Sequence, residues 1–200
     1  MLYHKINHKG FTIIELLVVM VVVGIASIGL VSFVTSNLRQ YLGLQKDATA
    51  FSDINQQSQR ISNVLRGSTD ILGAADESIT VYAYFFPNKQ YVSQINYYLN
   101  PSKTTMFADV TPMTANPPNG TLITAQKKTY TIIPYYYQSN GLKLFEYLDA
   151  NNQSLATPIA DLKSIKAIRI NLKTPIDGLQ KTNHTTMTSQ VSLRNRKSNL

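Results

Sequence analysis

The chain has 200 residues, enough for one domain and an additional element, with 44% hydrophobic and only 15% charged residues. It has 12 tyrosines and no cysteine, which excludes disulfides and thiolate metal sites. The formal charge of +8 permits contact with nucleic acid or anionic surfaces, and His4, His8 and His184 lack metal-ligand spacing, so no metal or cofactor is expected.

Residues 1–10 are polar and basic. Residues 11–38 follow as an apolar run whose one charge is Glu15, and Arg39 closes it. About 20 apolar residues cross the roughly 30 Å hydrocarbon core as a helix, so the run is long enough to span a bilayer. A secretory signal peptide would have a shorter apolar region, of about 7–15 residues. The basic residues ahead of the run favour a cytoplasmic N-terminus.

Beyond Arg39 the pattern turns amphipathic. Leu38, Tyr41, Leu42, Leu44, Ala48, Phe51, Ile54, Ile61, Val64 and Leu65 recur at three-to-four spacing. The first proline is Pro87, so one helix from about 11 to 66 is expected, roughly 80 Å long. Gly67 is suited to stop it in the left-handed conformation. Residues 39–67 would be the amphipathic continuation, lying by one stripe against a folded domain of residues 68–200.

From about residue 78 the signals are those of strands. Ile79–Phe86 and Tyr91–Leu99 flank a hairpin-sized linker, and residues 104–110 suggest a third strand. Residues 111–120 predict an exposed loop. Residues 129–138 and 142–148 flank Asn140-Gly141, a hairpin cue, and Asp149–Gln153 predicts a turn. Ile165–Leu172 alternates with period two, residues 174–186 suggest a loop, and residues 189–193 a last short strand. The expected fold class is α+β, a long N-terminal α-helix packed by its C-terminal half on an antiparallel β-sheet.

Lys9-Gly10-Phe11-Thr12-Ile13-Ile14-Glu15, with the apolar run behind it, resembles the N-terminus of the type IV pilin and pseudopilin superfamily. Gly10, Phe11 and Glu15 stand at the positions of that family's pattern. The resemblance implies that residues 1–10 are a leader, recognised through Lys9 and Gly10 and cut by a prepilin peptidase between Gly10 and Phe11. It also implies N-methylation of Phe11 and retention in the cytoplasmic (inner) membrane, with residues 11–38 as anchor and filament-core helix and the C-terminal domain extracytoplasmic. The partners it implies are other pilin subunits, an assembly platform protein and an assembly ATPase.

Glu15 has its own physical reading. A carboxylate in an apolar helix bundle requires a partner, and cleavage would create an amine at Phe11. Such a pair at about 4 Å gains about 4 kcal/mol at an effective dielectric of about 20, before desolvation. Formed between neighbouring subunits, it would set their register.

Major pilins of the superfamily often carry a proline in the apolar half and a C-terminal disulfide. Neither is possible here, so a minor pilin is expected. Residues 188–196, together with the strands expected at 142–149 and 165–172, resemble the J-type pseudopilins. Two alternatives remain: a minor pseudopilin of a type II secretion system, and a DNA- or surface-binding tip module. For DNA the candidates are Arg194, Arg196, Lys197, Lys127 and Lys128, with Tyr135, Tyr136 and Tyr137 as stacking faces, although alternating sheet packing is the favoured reading of the tyrosines. Asp149-Ala150-Asn151-Asn152-Gln153 superficially resembles a calcium loop but lacks its spaced carboxylates. No phosphate loop, nucleophile elbow or acid/base pair suggests an enzyme.

Overall fold

The computed structural model describes residues 12–138, 141–175 and 184–194. Contacts divide the chain into two units, Met1–Gln45 and Lys46–Leu200. Helix α1, Ile13–Arg66, passes through both. It starts just after Thr12 and ends with Arg66 in its last turn, where a cation complements the helix dipole.

The stop differs from expectation. Gly67 does not adopt positive φ; among described glycines only Gly141 does, at 80°. Instead Gly67 N–H bonds to Asn63 O at 3.2 Å, and Ser68 closes on Leu65 O through both its N–H (3.1 Å) and its hydroxyl (2.8 Å). The last carbonyls are thus satisfied without a left-handed residue.

Among the described residues of the second unit, nine strands form two antiparallel sheets rather than one. β1 (Asp70–Ala75), β2 (Ser78–Ala83), β3 (Ser93–Leu99), β4 (Met106–Pro112) and β5 (Lys128–Ile133) make a meander in chain order. β6 (Phe145–Leu148), β7 (Ser154–Leu155), β8 (Ala167–Pro175) and β9 (His184–Ser192) make the second sheet, in the order β7-β6-β8-β9. Period-two burial is clearest in β3, where Ile95, Tyr97 and Leu99 face inward.

Several expected elements shift for identifiable reasons. β1 was not expected, because Asp-Ile-Leu-Gly-Ala-Ala lacks the bulky alternation of a strand. β2 ends at Ala83, since its partner β3 begins at Ser93 opposite. Residues 111–113 are strand-like, not loop: β4 runs to Pro112, and Met113 bridges Leu122. β8 and β9 are longer than expected and stay in register out to Pro175 opposite His184.

Asn140 of the expected hairpin lies outside the described residues, and the strands on either side of it, β5 and β6, do not pair. β5 ends before Pro134, which has no N–H to donate. Tyr136 N–H then bonds Thr104 O at 2.7 Å, and Tyr137 N–H bonds Lys173 O at 2.8 Å. The chain therefore crosses from the first sheet to the second, where β6 pairs with β7 and β8.

The α1 stripe is also shorter than its sequence pattern. Ile54, Ile61, Val64 and Leu65 are buried and join one core cluster with Ile79, Val81, Tyr97, Ile168 and Val191. Leu38, Tyr41, Leu42, Leu44 and Phe51, however, are each at least half exposed.

Polar links tie the two sheets together. Tyr147 of β6 is fully buried, and its hydroxyl lies 2.9 Å from Ala75 O and 3.0 Å from Ser78 O. Phe145 N–H donates to Asp76 O at 3.0 Å. Tyr97 of β3 is equally buried, yet its hydroxyl has no hydrogen-bond partner among the described residues. Burial pushes both phenol pKa values up. Tyr147→Phe is expected to cost about 0.5–1.5 kcal/mol, because it removes the hydroxyl's bond to the carbonyls of residues 75 and 78. Tyr97→Phe should be neutral or slightly stabilising, since the hydroxyl it removes makes no bond. Denaturant unfolding of the two variants in detergent, side by side, checks the contrast.

Candidate functional site

The first turn of α1 is held by a reciprocal cap. Glu15 Oε2 accepts from Thr12 N–H at 3.2 Å and from the Thr12 hydroxyl at 3.1 Å. Glu15 N–H donates to Thr12 Oγ1 at 3.3 Å. Thr12 is thus the N-cap and Glu15 its N3 partner, a capping box. The sequence carries this signal as Thr-x-x-Glu ahead of an apolar run, and reading Glu15 only as a register charge misses it. The carboxylate also lies in the first turn, where the helix dipole favours a negative charge.

Behind the cap, α1 is apolar on every side. It is the one described helix long and apolar enough to cross a membrane, and none of its most apolar stretch is buried within the chain. Its polar side chains bond back to the helix. Ser27 donates to Val23 O at 2.7 Å, Thr35 to Val31 O, and Asn37 to Phe33 O at 2.8 Å. A hydroxyl or amide satisfied in this way can enter hydrocarbon at low cost. Gly24 and Gly29 have open space where a Cβ would stand.

Residues 5–31 match the family model described as the prokaryotic N-terminal methylation motif. The chain carries that motif. The match supports a place in the pilin and pseudopilin superfamily, and the long helix with antiparallel sheet is consistent with a pilin-like fold. No curated protein matches the chain.

The other candidates fare differently. Lys9, Gly10, Phe11, Arg196 and Lys197 lie outside the described residues. Arg194 is exposed at the end of the described chain, and Lys128 is exposed at the start of β5. Lys127 is not a free cation, because its Nζ sits 2.7 Å from Asp109 Oδ2. The three tyrosines do not form one stacking surface. Tyr135 is exposed and Tyr136 buried, while Tyr137 packs on His184 with ring centroids 3.8 Å apart. The three lie in the crossing segment after β5, outside any strand, and pack one by one on different surroundings. Asp149 Oδ1 accepts from Asn151 N–H and Gln153 N–H, both at 2.8 Å, so the carboxylate closes the β6–β7 turn. Among the described residues no cluster of three or more His, Cys, Asp or Glu could hold a metal ion.

Asp109 is the centre of a small surface network. Burial disfavours its charge, but hydrogen bonds from Lys127, Thr129 and Tyr98, with the Lys127 charge, outweigh burial and hold the carboxyl below the usual range. A carboxyl with a depressed folded pKa contributes stability above its unfolded value, near 3.9, and that stability is lost as pH falls through the folded pKa. Melting temperature measured from pH 7 down to about pH 2 is therefore expected to fall less steeply below about pH 4 in Asp109→Asn than in the wild type.

Proposed function

We propose that this chain is a prepilin-like structural subunit, matured by prepilin peptidase and assembled with other pilins into a type IV filament as a minor, tip-proximal or assembly-initiating component. The observation that carries the reading is the methylation motif at residues 5–31, running directly into an exposed apolar helix. In this reading residues 1–10 are removed, Phe11 becomes the methylated N-terminus, residues 11–38 anchor the chain, residues 39–67 continue the helix, and residues 68–200 are extracytoplasmic. The chain's work is structural, not catalytic. Its assembly partners are an ATPase and a platform membrane protein.

The minor role is supported by the lack of proline in the apolar half and of cysteine anywhere. Mass spectrometry of sheared filaments tests the reading. The expected mature chain begins at N-methylated Phe11 and is scarce beside a second, abundant subunit. Filament-bound chain that retains Met1 to Gly10 would overturn it.

Glu15 then has two tasks. It caps its own helix through Thr12, and it pairs with the Phe11 amine of a neighbouring subunit during assembly. Thr12→Ala removes only the cap, worth about 0.5–2 kcal/mol. Glu15→Ala removes the pairing and the carboxylate half of the cap, while the residue 15 N–H keeps its bond to Thr12 Oγ1. Immunoblots of the sheared fraction are expected to show partial loss for Thr12→Ala and near-complete loss for Glu15→Ala. Equal losses would reduce Glu15 to a capping residue.

A further inference from the structure

A sheet edge presents unpaired N–H and C=O groups, and proteins blunt such edges with short strands, charges, prolines or bulges. Three of the four edges here are blunted. β1 carries a register shift between Ile71 and Gly73 and starts at Asp70. β5 lies beside a register shift at Met106/Phe107, begins with Lys128 and is followed by Pro134. β7 has two residues.

β9 has none of these devices. It is nine residues long, His-Thr-Thr-Met-Thr-Ser-Gln-Val-Ser, with no Asp, Glu, Lys, Arg or Pro. It pairs with β8 at all nine positions without a shift. Leu193 N–H bonds Lys166 O at 3.0 Å, which sets the phase of the ladder. Odd-numbered residues of β9 bond β8, and Thr186, Thr188 and Gln190 turn their backbone groups to the other side, which is free of any strand among the described residues.

A groove of about 320 Å³ runs beside this strand. Met187, Ser189 and Gln190 form one wall; Asn55, Gln59, Asn63 and Arg66 of α1 line the other. No residue of β8 lines it, which places it on the free side of β9. Ser189 holds the two walls together, its hydroxyl lying 3.0 Å from Ser58 Oγ and 3.2 Å from Ser62 Oγ.

We propose that the free edge of β9 receives a strand donated by a different subunit of the filament, extending the second sheet across the subunit boundary. The inference rests on the filament reading above. The groove offers amides and a guanidinium but no carboxylate, so a neutral or acidic donor strand fits it. A second copy of this chain fits less well, because each mature copy, without Lys5 and Lys9, carries a formal charge of 8 − 2 = +6.

The test uses full-length chain in filament-producing cells. A photo-crosslinking residue at Thr186 reports on the edge, and one at Val19 reports on incorporation. The expected result is a Thr186 adduct that mass spectrometry identifies as another filament subunit. Thr188→Pro deletes an outward N–H and no backbone bond to β8; like Thr188→Val it also loses the hydroxyl's 3.0 Å bond to Asn171 Oδ1, so the two variants differ at the N–H, and Thr188→Pro should cut that adduct about tenfold. Thr188→Val keeps the N–H and should leave it unchanged. Adducts from Val19 with none from Thr186, or a Thr186 adduct with a second copy or a non-filament protein, overturn the proposal and leave the filament reading standing. No adduct to a filament subunit from either position overturns both.

Discussion

The hydrogen-bond ladder of α1 runs from Ile13 to Arg66 through two different surroundings. In its first part every face is apolar and exposed within the chain, so the backbone must satisfy itself, and it does. In its last three turns Ile54, Ile61, Val64 and Leu65 close the core between the sheets. A break between these parts would separate whatever holds the N-terminal segment from the folded unit. With no proline before Pro87, no donor is missing from the ladder between the two parts.

The two sheets answer to that helix face and to each other. The crossing at residues 134–137 and the contacts of Tyr147 and Phe145 with residues 75–78 join them at separate places. The aromatic group at Phe85, Phe86 and Tyr130 belongs to the first sheet and meets α1, with the Arg60 guanidinium 4.6 Å above the Phe85 ring centroid. Such a contact adds about 0.5–1 kcal/mol at an exposed site and aligns the helix with the β2–β3 connection.

Where large apolar residues alternate or recur helically, the sequence shows the structure almost directly, as in α1, β3 and the middle of β8. It fails where pairing, not side-chain size, makes the strand. β1 and the first half of β9 are built from small and hydroxyl-bearing residues, and only a neighbouring strand makes them regular. Asn140-Gly141 misled because a local turn signal says nothing about which sheet the next strand joins. The stripe from Leu38 to Phe51 misled in the opposite way, since its periodicity is real but nothing among the described residues covers it. At the candidate site, Gly10, Phe11 and Glu15 stand out by pattern. The cap that Thr12 makes for Glu15 is legible only once the first turn is treated as a place with orphan donors.

The uncovered stripe also bears on how the folded unit could be produced in isolation. Residues 38–51 amount to about 20 Å of helix, studded with Leu38, Tyr41, Leu42, Leu44 and Phe51. A fragment begun at Arg39, where the hydropathy changes, would carry most of those side chains into water and invite self-association. One begun just after Phe51 would shed them and keep every buried residue of α1, from Ile54 onward, at the cost of a helix reduced to about four turns.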